Sequence, residues 1–101
     1  MAFVSAMALD DLWIGEMRGV RLGATSVLLA RLAEDAVVAF EDRCAHLGVP
    51  LSPGTFEHGV ITCPVHMWQY DAASGEGVNP TGVCLRRFAV RLGNGQVQVD
   101  V

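Results

Sequence analysis

Two short Cys/His pairs, Cys44-Ala45-His46 and Cys63-Pro64-Val65-His66, lie sixteen residues apart near the middle of this 101-residue chain. They constrain the fold more than any other feature. Four such side chains can serve one site only if two separate loops close on each other. Each loop would then offer one thiolate and one imidazole, and the rest of the chain must form a rigid scaffold that holds two loop tips together.

That scaffold reads as β. Turn signals recur at short intervals, and the segments between them are rich in Val, Leu, Ile and Phe. Strands are expected at 3–6, 20–24, 26–32, 36–41, 60–62, 68–71, 85–92 and 96–101. Glu34-Asp35 and Leu92-Gly93-Asn94-Gly95 read as hairpin turns. The only helical hint is 9–15, where Asp10 or Asp11 could cap a single turn. Between Arg43 and Arg86 the chain is crowded with Gly, Pro and Ser, which bars long regular elements, and both Cys/His pairs fall inside that stretch. The expectation is one all-β domain over 1–101. Its two ends make a β-sandwich base, and a loop-rich subdomain, 43–86, is inserted between them. A bound group that cross-linked two loops would add appreciably to the stability of so short a chain.

Composition excludes several classes. Net charge is −4, all seven basic residues are Arg, and no basic run exists, so the electrostatic footprint of a nucleic-acid binder is missing. The chain is 51% hydrophobic, yet no stretch approaches the length that crosses a bilayer. MAFVSAMALDD lacks the basic region of a secretory signal, so a cytoplasmic protein with no membrane contact is expected. The acid pairs Asp10-Asp11, Glu34-Asp35 and Glu41-Asp42 read as solvated surface, with weak steering toward a basic partner as the alternative. Three cysteines argue against a disulfide framework, and Cys84, outside the pairs, reads as a small buried hydrophobe. Trp13 reads as core or a packing platform, Tyr70 as a buried hydrogen-bonding aromatic, and His58 as a solvated turn histidine.

Two thiolates and two imidazoles meet the needs of a [2Fe–2S] cluster held by two Cys on one iron and two His on the other. Within each pair the Cys and His can reach the two irons from one tight loop, and the Gly/Pro-rich sequence lets backbone amides approach the sulfurs. A tetrahedral zinc ion accepts the same donors, although it usually groups Cys with Cys and His with His. A catalytic Cys–His pair would leave the second pair unexplained. The residues alone leave these readings, and chance spacing, open.

The stretch CAHLGVPLSPG, followed by GVITCPVHMWQYDAASGEGVNP, resembles the Rieske ferredoxin signature, C-x-H and then C-x-x-H. LDDLWIGEM at 9–17, GVITC at 59–63, Trp68 and the Gly77-Val78-Asn79-Pro80 segment are similar to the ferredoxin component of toluene monooxygenases. Those belong to the multicomponent bacterial diiron monooxygenases that oxidise aromatics and alkenes. The resemblance implies a Rieske ISP-like fold and one Rieske [2Fe–2S] cluster. Cys44 and Cys63 would bind one iron and His46 and His66 the other, with Pro80 in a loop that covers the cluster from a third side.

It further implies an electron carrier and not an enzyme. A monomer would take single electrons from an NADH-dependent flavin/iron–sulfur reductase and dock transiently on a diiron hydroxylase. Leu47, Pro50, Met67, Trp68 and Pro80 are candidates for the docking surface; packing beneath the loop is the other role open to Trp68. The alternatives are a ferredoxin of a ring-hydroxylating dioxygenase and, from a different class, a structural zinc-binding interaction module. Once His46 and His66 are assigned, His58 alone remains, too few for the two-His, one-carboxylate iron site of an oxygenase. Two departures bear on the potential. Val49 and Val65 stand where respiratory Rieske proteins carry a disulfide, and Trp68 stands where they carry a Ser that donates to a cluster sulfur. Both imply a potential near the low end of the Rieske range, roughly −150 mV.

Overall fold

The apolar run Val27-Leu28-Leu29-Ala30 has no alternating polar face, and a strand tolerates that only when both of its faces are covered. In the computed structural model, which describes residues 2–101, the run lies in strand β3 (Thr25–Ala33) with all four side chains fully buried. Beside it lie β2 (Met17–Leu22) and β4 (Ala36–Glu41), and the short β9 (Arg87–Phe88) completes an antiparallel sheet of order β2-β3-β4-β9. Leu28 pairs with Phe40 and Leu29 with Ala39 across the β3–β4 ladder. Alternate residues therefore feed two different cores.

On one face, Val27, Leu29, Ala39 and Phe88 pack with Val97 and Val99. The last two come from a second sheet, formed in order by β1 (Phe3–Ala8), β11 (Gln96–Asp100) and β10 (Val90–Gly93). On the other face, Leu28, Ala30, Val38 and Phe40 pack with Cys44, Leu51, Ile61, Cys63 and Tyr70. Here the covering layer is a third antiparallel sheet of β5 (Thr55–Glu57), β6 (Val60–Thr62), β7 (Gln69–Asp71) and β8 (Gly77–Asn79). The molecule is all-β, three layers deep. Its central sheet carries the sandwich on one side and the Cys/His loops on the other.

The expected strands fall close to the observed ones, with physical reasons for each difference. β5 and β8 were not expected; each is three residues long and flanked by Gly or Pro, too short to show periodicity. The expected strand 85–92 is two strands interrupted at Ala89. β9 pairs with β4 while β10 pairs with β11, so the chain changes sheets there, as strands do at sandwich corners. The strand expected at 20–24 instead begins at Met17 and ends at Leu22, because Gly23 turns the chain with φ 63°. The helical hint shrinks to one 3₁₀ turn at Leu9–Asp11, and neither aspartate caps it. Beyond that turn Trp13 is 74% exposed and not core. It is held out by a tight turn in which its amide donates to the Glu16 carboxylate (2.8 Å). That bond lowers the Glu16 pKa below the ordinary carboxylate value, burial opposing it weakly and Arg18 assisting. Among the described residues no helix is long and apolar enough to cross a membrane.

Candidate metal centre

Each Cys/His pair occupies a loop between a strand and its successor, and the two loops are closed by the same backbone bonds. In the first, the Gly48 amide donates to the Cys44 carbonyl (2.9 Å) and the Cys44 amide to the Val49 carbonyl (2.8 Å). In the second, the Met67 amide donates to the Cys63 carbonyl (3.2 Å) and the Cys63 amide to the Trp68 carbonyl (2.8 Å). The closing residue is left-handed in both, with φ 70° at Gly48 and 61° at Met67. Glycine suits that conformation. At Gly48 a Cβ would stand 2.8 Å from Nε of Arg43, so a side chain there would also have to displace that guanidinium.

This shared geometry turns each Cys inward and each His outward. Cys44 and Cys63 are each 1% exposed, within the core beneath the central sheet, whereas both histidines are exposed. The imidazoles meet edge to face with centroids 4.6 Å apart. Trp68 stacks on His46 at 4.5 Å with 17° between the planes. The indole also packs on the core, so it does lie beneath the loop, as one of its two expected roles requires.

Two residues outside the pairs fasten the site. Asp42, at the end of β4, accepts bonds on one carboxylate oxygen from the amides of Leu51 (2.7 Å) and Ser52 (2.9 Å). Its other oxygen accepts from the Ser52 hydroxyl (2.7 Å). The segment leaving the first loop is thereby pinned to the strand entering it. Gly54 lets that segment lie on β6, where any Cβ would collide with the Thr62 carbonyl. Tyr70, fully buried in β7, places its hydroxyl 3.3 Å from Sγ of Cys44 and accepts the Ala45 amide at 3.1 Å. Burial pushes the Cys44 thiol up, but the Tyr70 hydroxyl, the amides of His46 and Leu47 and the Cys63 side chain together hold its pKa below the ordinary thiol value. Burial and the adjacent Cys44 push the Tyr70 phenol up, so it keeps the proton it donates.

The donor set fits a binuclear iron–sulfur group. The N–H and O–H donors around the Cys44 sulfur favour thiolate, the form that binds iron. The two imidazoles stand together at the surface side. Among the described residues no group of three or more His, Cys, Asp or Glu side chains is arranged to hold one metal ion. A [2Fe–2S] group asks only two protein ligands of each iron.

The remaining candidates are spread around the loop tips. Leu47 and Met67 are exposed by 61% and 64%, Pro50 is exposed, and Pro80 is half-buried just beyond β8. Val65 joins them at 53% exposed, a surface role not expected of it. His58 is a solvated turn residue in left-handed conformation, as expected. Cys84 differs from expectation: it is exposed, in a cleft it lines with Cys44, His46 and Leu47. Its neighbours Val83 and Leu85 face the core, so Cys84, bridged to Glu76 between them, faces out. Asp42, expected as solvated surface or a weak steering charge, instead holds the first loop. The bonds of Asp42 and Tyr70 depend on tertiary pairings no local pattern reveals. The one signal in the sequence is that Asp42 immediately precedes the first loop and Tyr70 shortly follows the second.

The model of the Rieske [2Fe–2S] domain matches residues 2–89. The ferredoxin component of the alkene monooxygenase system of Xanthobacter autotrophicus is 38% identical over 98 residues, covering 96% of this chain and 80% of that protein. Ferredoxin CarAc of Metapseudomonas resinovorans is 33% identical over 99 residues, covering 96% and 92%. Among solved structures, a chain in the complex of reduced oxygenase and oxidised ferredoxin of carbazole 1,9a-dioxygenase superposes with a TM-score of 0.86 at 32% identity. That match covers 96% of this chain and 91% of the other.

Proposed function

The chain belongs to the Rieske [2Fe–2S] domain family, and from that premise we propose that Cys44 and Cys63 bind one iron of its single Rieske cluster and His46 and His66 the other. The protein is an electron-transfer ferredoxin, not an enzyme. Bound at this site, the cluster supplies a one-electron couple. The chain's own residues do the rest. The two cysteines, with Tyr70 behind them, hold the charged sulfurs away from water. The two histidines carry the edge of the site to the surface, where a partner can approach. The observation that carries this reading is the matched pair of loops, which bury both Cys and expose both His.

The partners follow by analogy. The alkene monooxygenase relative supports an oxygenase as electron acceptor; in this reading the acceptor is a diiron monooxygenase hydroxylase and the donor an NADH-dependent flavin/iron–sulfur reductase. The dioxygenase ferredoxin supports a second reading, in which the acceptor is a ring-hydroxylating dioxygenase. Docking on either is transient, by a monomer, through the loop tips bearing Leu47, Pro50, Met67 and Trp68. Reconstitution separates the readings: reduced protein is mixed with each class of oxygenase and turnover is followed. Turnover with a diiron monooxygenase supports the first reading, and turnover only with a dioxygenase overturns it. For the ligands, Cys44→Ser should abolish the normal two-iron chromophore, and an unchanged spectrum would overturn the assignment.

A further inference from the structure

We propose that Met67 is the anchor of the face through which this carrier meets its oxygenase, and that this face fits an uncharged, apolar hollow in the partner. The inference rests on the carrier reading above. It begins with the likeness of the two loops. Gly48 and Met67 close them with the same hydrogen bond and the same left-handed backbone. Glycine occupies that conformation freely, whereas a residue with a Cβ loses stability there. Met67 gains nothing in the core to offset this, being 64% exposed. A strained, unburied, long apolar side chain beside the site is explained by a contact made outside the molecule.

Its surroundings define that contact. Segments 44–56, 58–70 and 77–85 contain no Asp, Glu, Arg or Lys. Leu47, Val65 and Met67, each more than half exposed, stand in the two loops that carry the histidines. At its margins Arg86 pairs with Glu41 at 3.6 Å and the Asp42 carboxylate is occupied by Leu51 and Ser52, while Arg43 and Glu57 stand exposed. Charge therefore stands only at the margin of this face, and its centre, which carries Leu47, Val65 and Met67, is apolar. A partner that brings its own redox centre close must therefore present an apolar rim without a buried unpaired charge, which this face could not neutralise. A ferredoxin of the same fold, 32% identical, sits in a solved complex with its oxygenase, which makes an oxygenase the occupant chosen for this face.

The test compares Met67→Gly, Met67→Ala and Met67→Leu as holoproteins. They are used as electron donors to the oxygenase component of the Xanthobacter autotrophicus alkene monooxygenase system and, separately, to that of carbazole 1,9a-dioxygenase. Met67→Gly should keep the chromophore and a Tm equal to or a few degrees above wild type. Its KM for the oxygenase should rise about tenfold, with kcat unchanged at saturation. Met67→Ala should show the same KM without the gain in Tm, and Met67→Leu should restore KM. The wild-type KM should change less than about twofold between ~0.05 and ~0.5 M NaCl, where charged docking weakens steeply. The proposal is overturned by a wild-type KM for Met67→Gly, by loss of its chromophore or Tm, or by a strong salt dependence in the wild type. If neither oxygenase accepts electrons from the wild type, the oxygenase-partner reading fails first and this inference falls with it.

Discussion

Replacing Tyr70 by Phe deletes one oxygen from a fully buried ring and leaves the packing volume intact. What disappears is a donor 3.3 Å from Sγ of Cys44 and an acceptor for the Ala45 amide. A hydrogen bond to a charged group contributes about 1.5–3 kcal/mol. Part of that depends on the charge of the acceptor, and the sulfur becomes more negative when the site takes up an electron. Assigning about 1 kcal/mol to this difference, at about 59 mV per 1.4 kcal/mol for one electron, lowers the midpoint potential by ~40 mV. Orphaning the Ala45 amide should cost about 1–2 kcal/mol, or roughly 5–10 °C in Tm, which leaves the variant folded. Film voltammetry of wild type and Tyr70→Phe reads the shift directly. A midpoint within about 10 mV of wild type, or above it, with an intact spectrum would refute the claim that Tyr70 stabilises the reduced site. The same titration places the wild type near the low end of the family range, roughly −150 mV, and a clearly positive value would contradict the reading of Val49, Val65 and Trp68.

Other perturbations probe the scaffold. Asp42→Ala strands the amides of Leu51 and Ser52 and should lower stability by about 2–3 kcal/mol; calorimetry of the holoprotein, with faster bleaching of the chromophore, checks it. Asp42→Asn, which keeps an acceptor, should lose less. Cys84→Ser should leave spectrum and potential unchanged while abolishing disulfide-linked dimers on aerobic storage, read on a non-reducing gel; an altered spectrum would mean that Cys84 touches the site. Glu16→Gln probes the turn that holds Trp13. Because the folded Glu16 carboxyl is depressed, its contribution is present above the ordinary carboxylate range and lost as pH falls through the folded value. The Tm gap between wild type and Glu16→Gln should therefore close on acidification, and a gap that widened would contradict the turn assignment.

The sequence made the ligand candidates legible because Cys and His are scarce here and few arrangements use them in interleaved pairs. It made the central sheet legible too. A run such as Val27–Ala30 has no polar face to misassign, and Glu34-Asp35 and Asn94-Gly95 mark their turns by chemistry alone. The misses share one cause. β5 and β8 exist because β6 and β7 offer them edges, not because three residues prefer to be extended. The break at Ala89 is imposed by two sheets competing for one segment. Trp13 stands exposed because Glu16 caps its turn, and Cys84 is exposed because Val83 and Leu85 on either side of it turn to the core. The bonds of Tyr70 and Asp42, and the match between Gly48 and Met67, appear only once the two loops are superposed in space.

The central claim is that one reducible site takes its protein ligands from both loops, with both imidazoles on metal. Pulsed EPR of the reduced protein, labelled with ¹⁵N in histidine alone, tests it in a single spectrum. The account predicts an EPR-active state formed by one electron, with two directly coordinated histidine nitrogens, both kept in His58→Asn. An EPR-silent protein after reduction, or coupling to fewer than two histidine nitrogens, would contradict it.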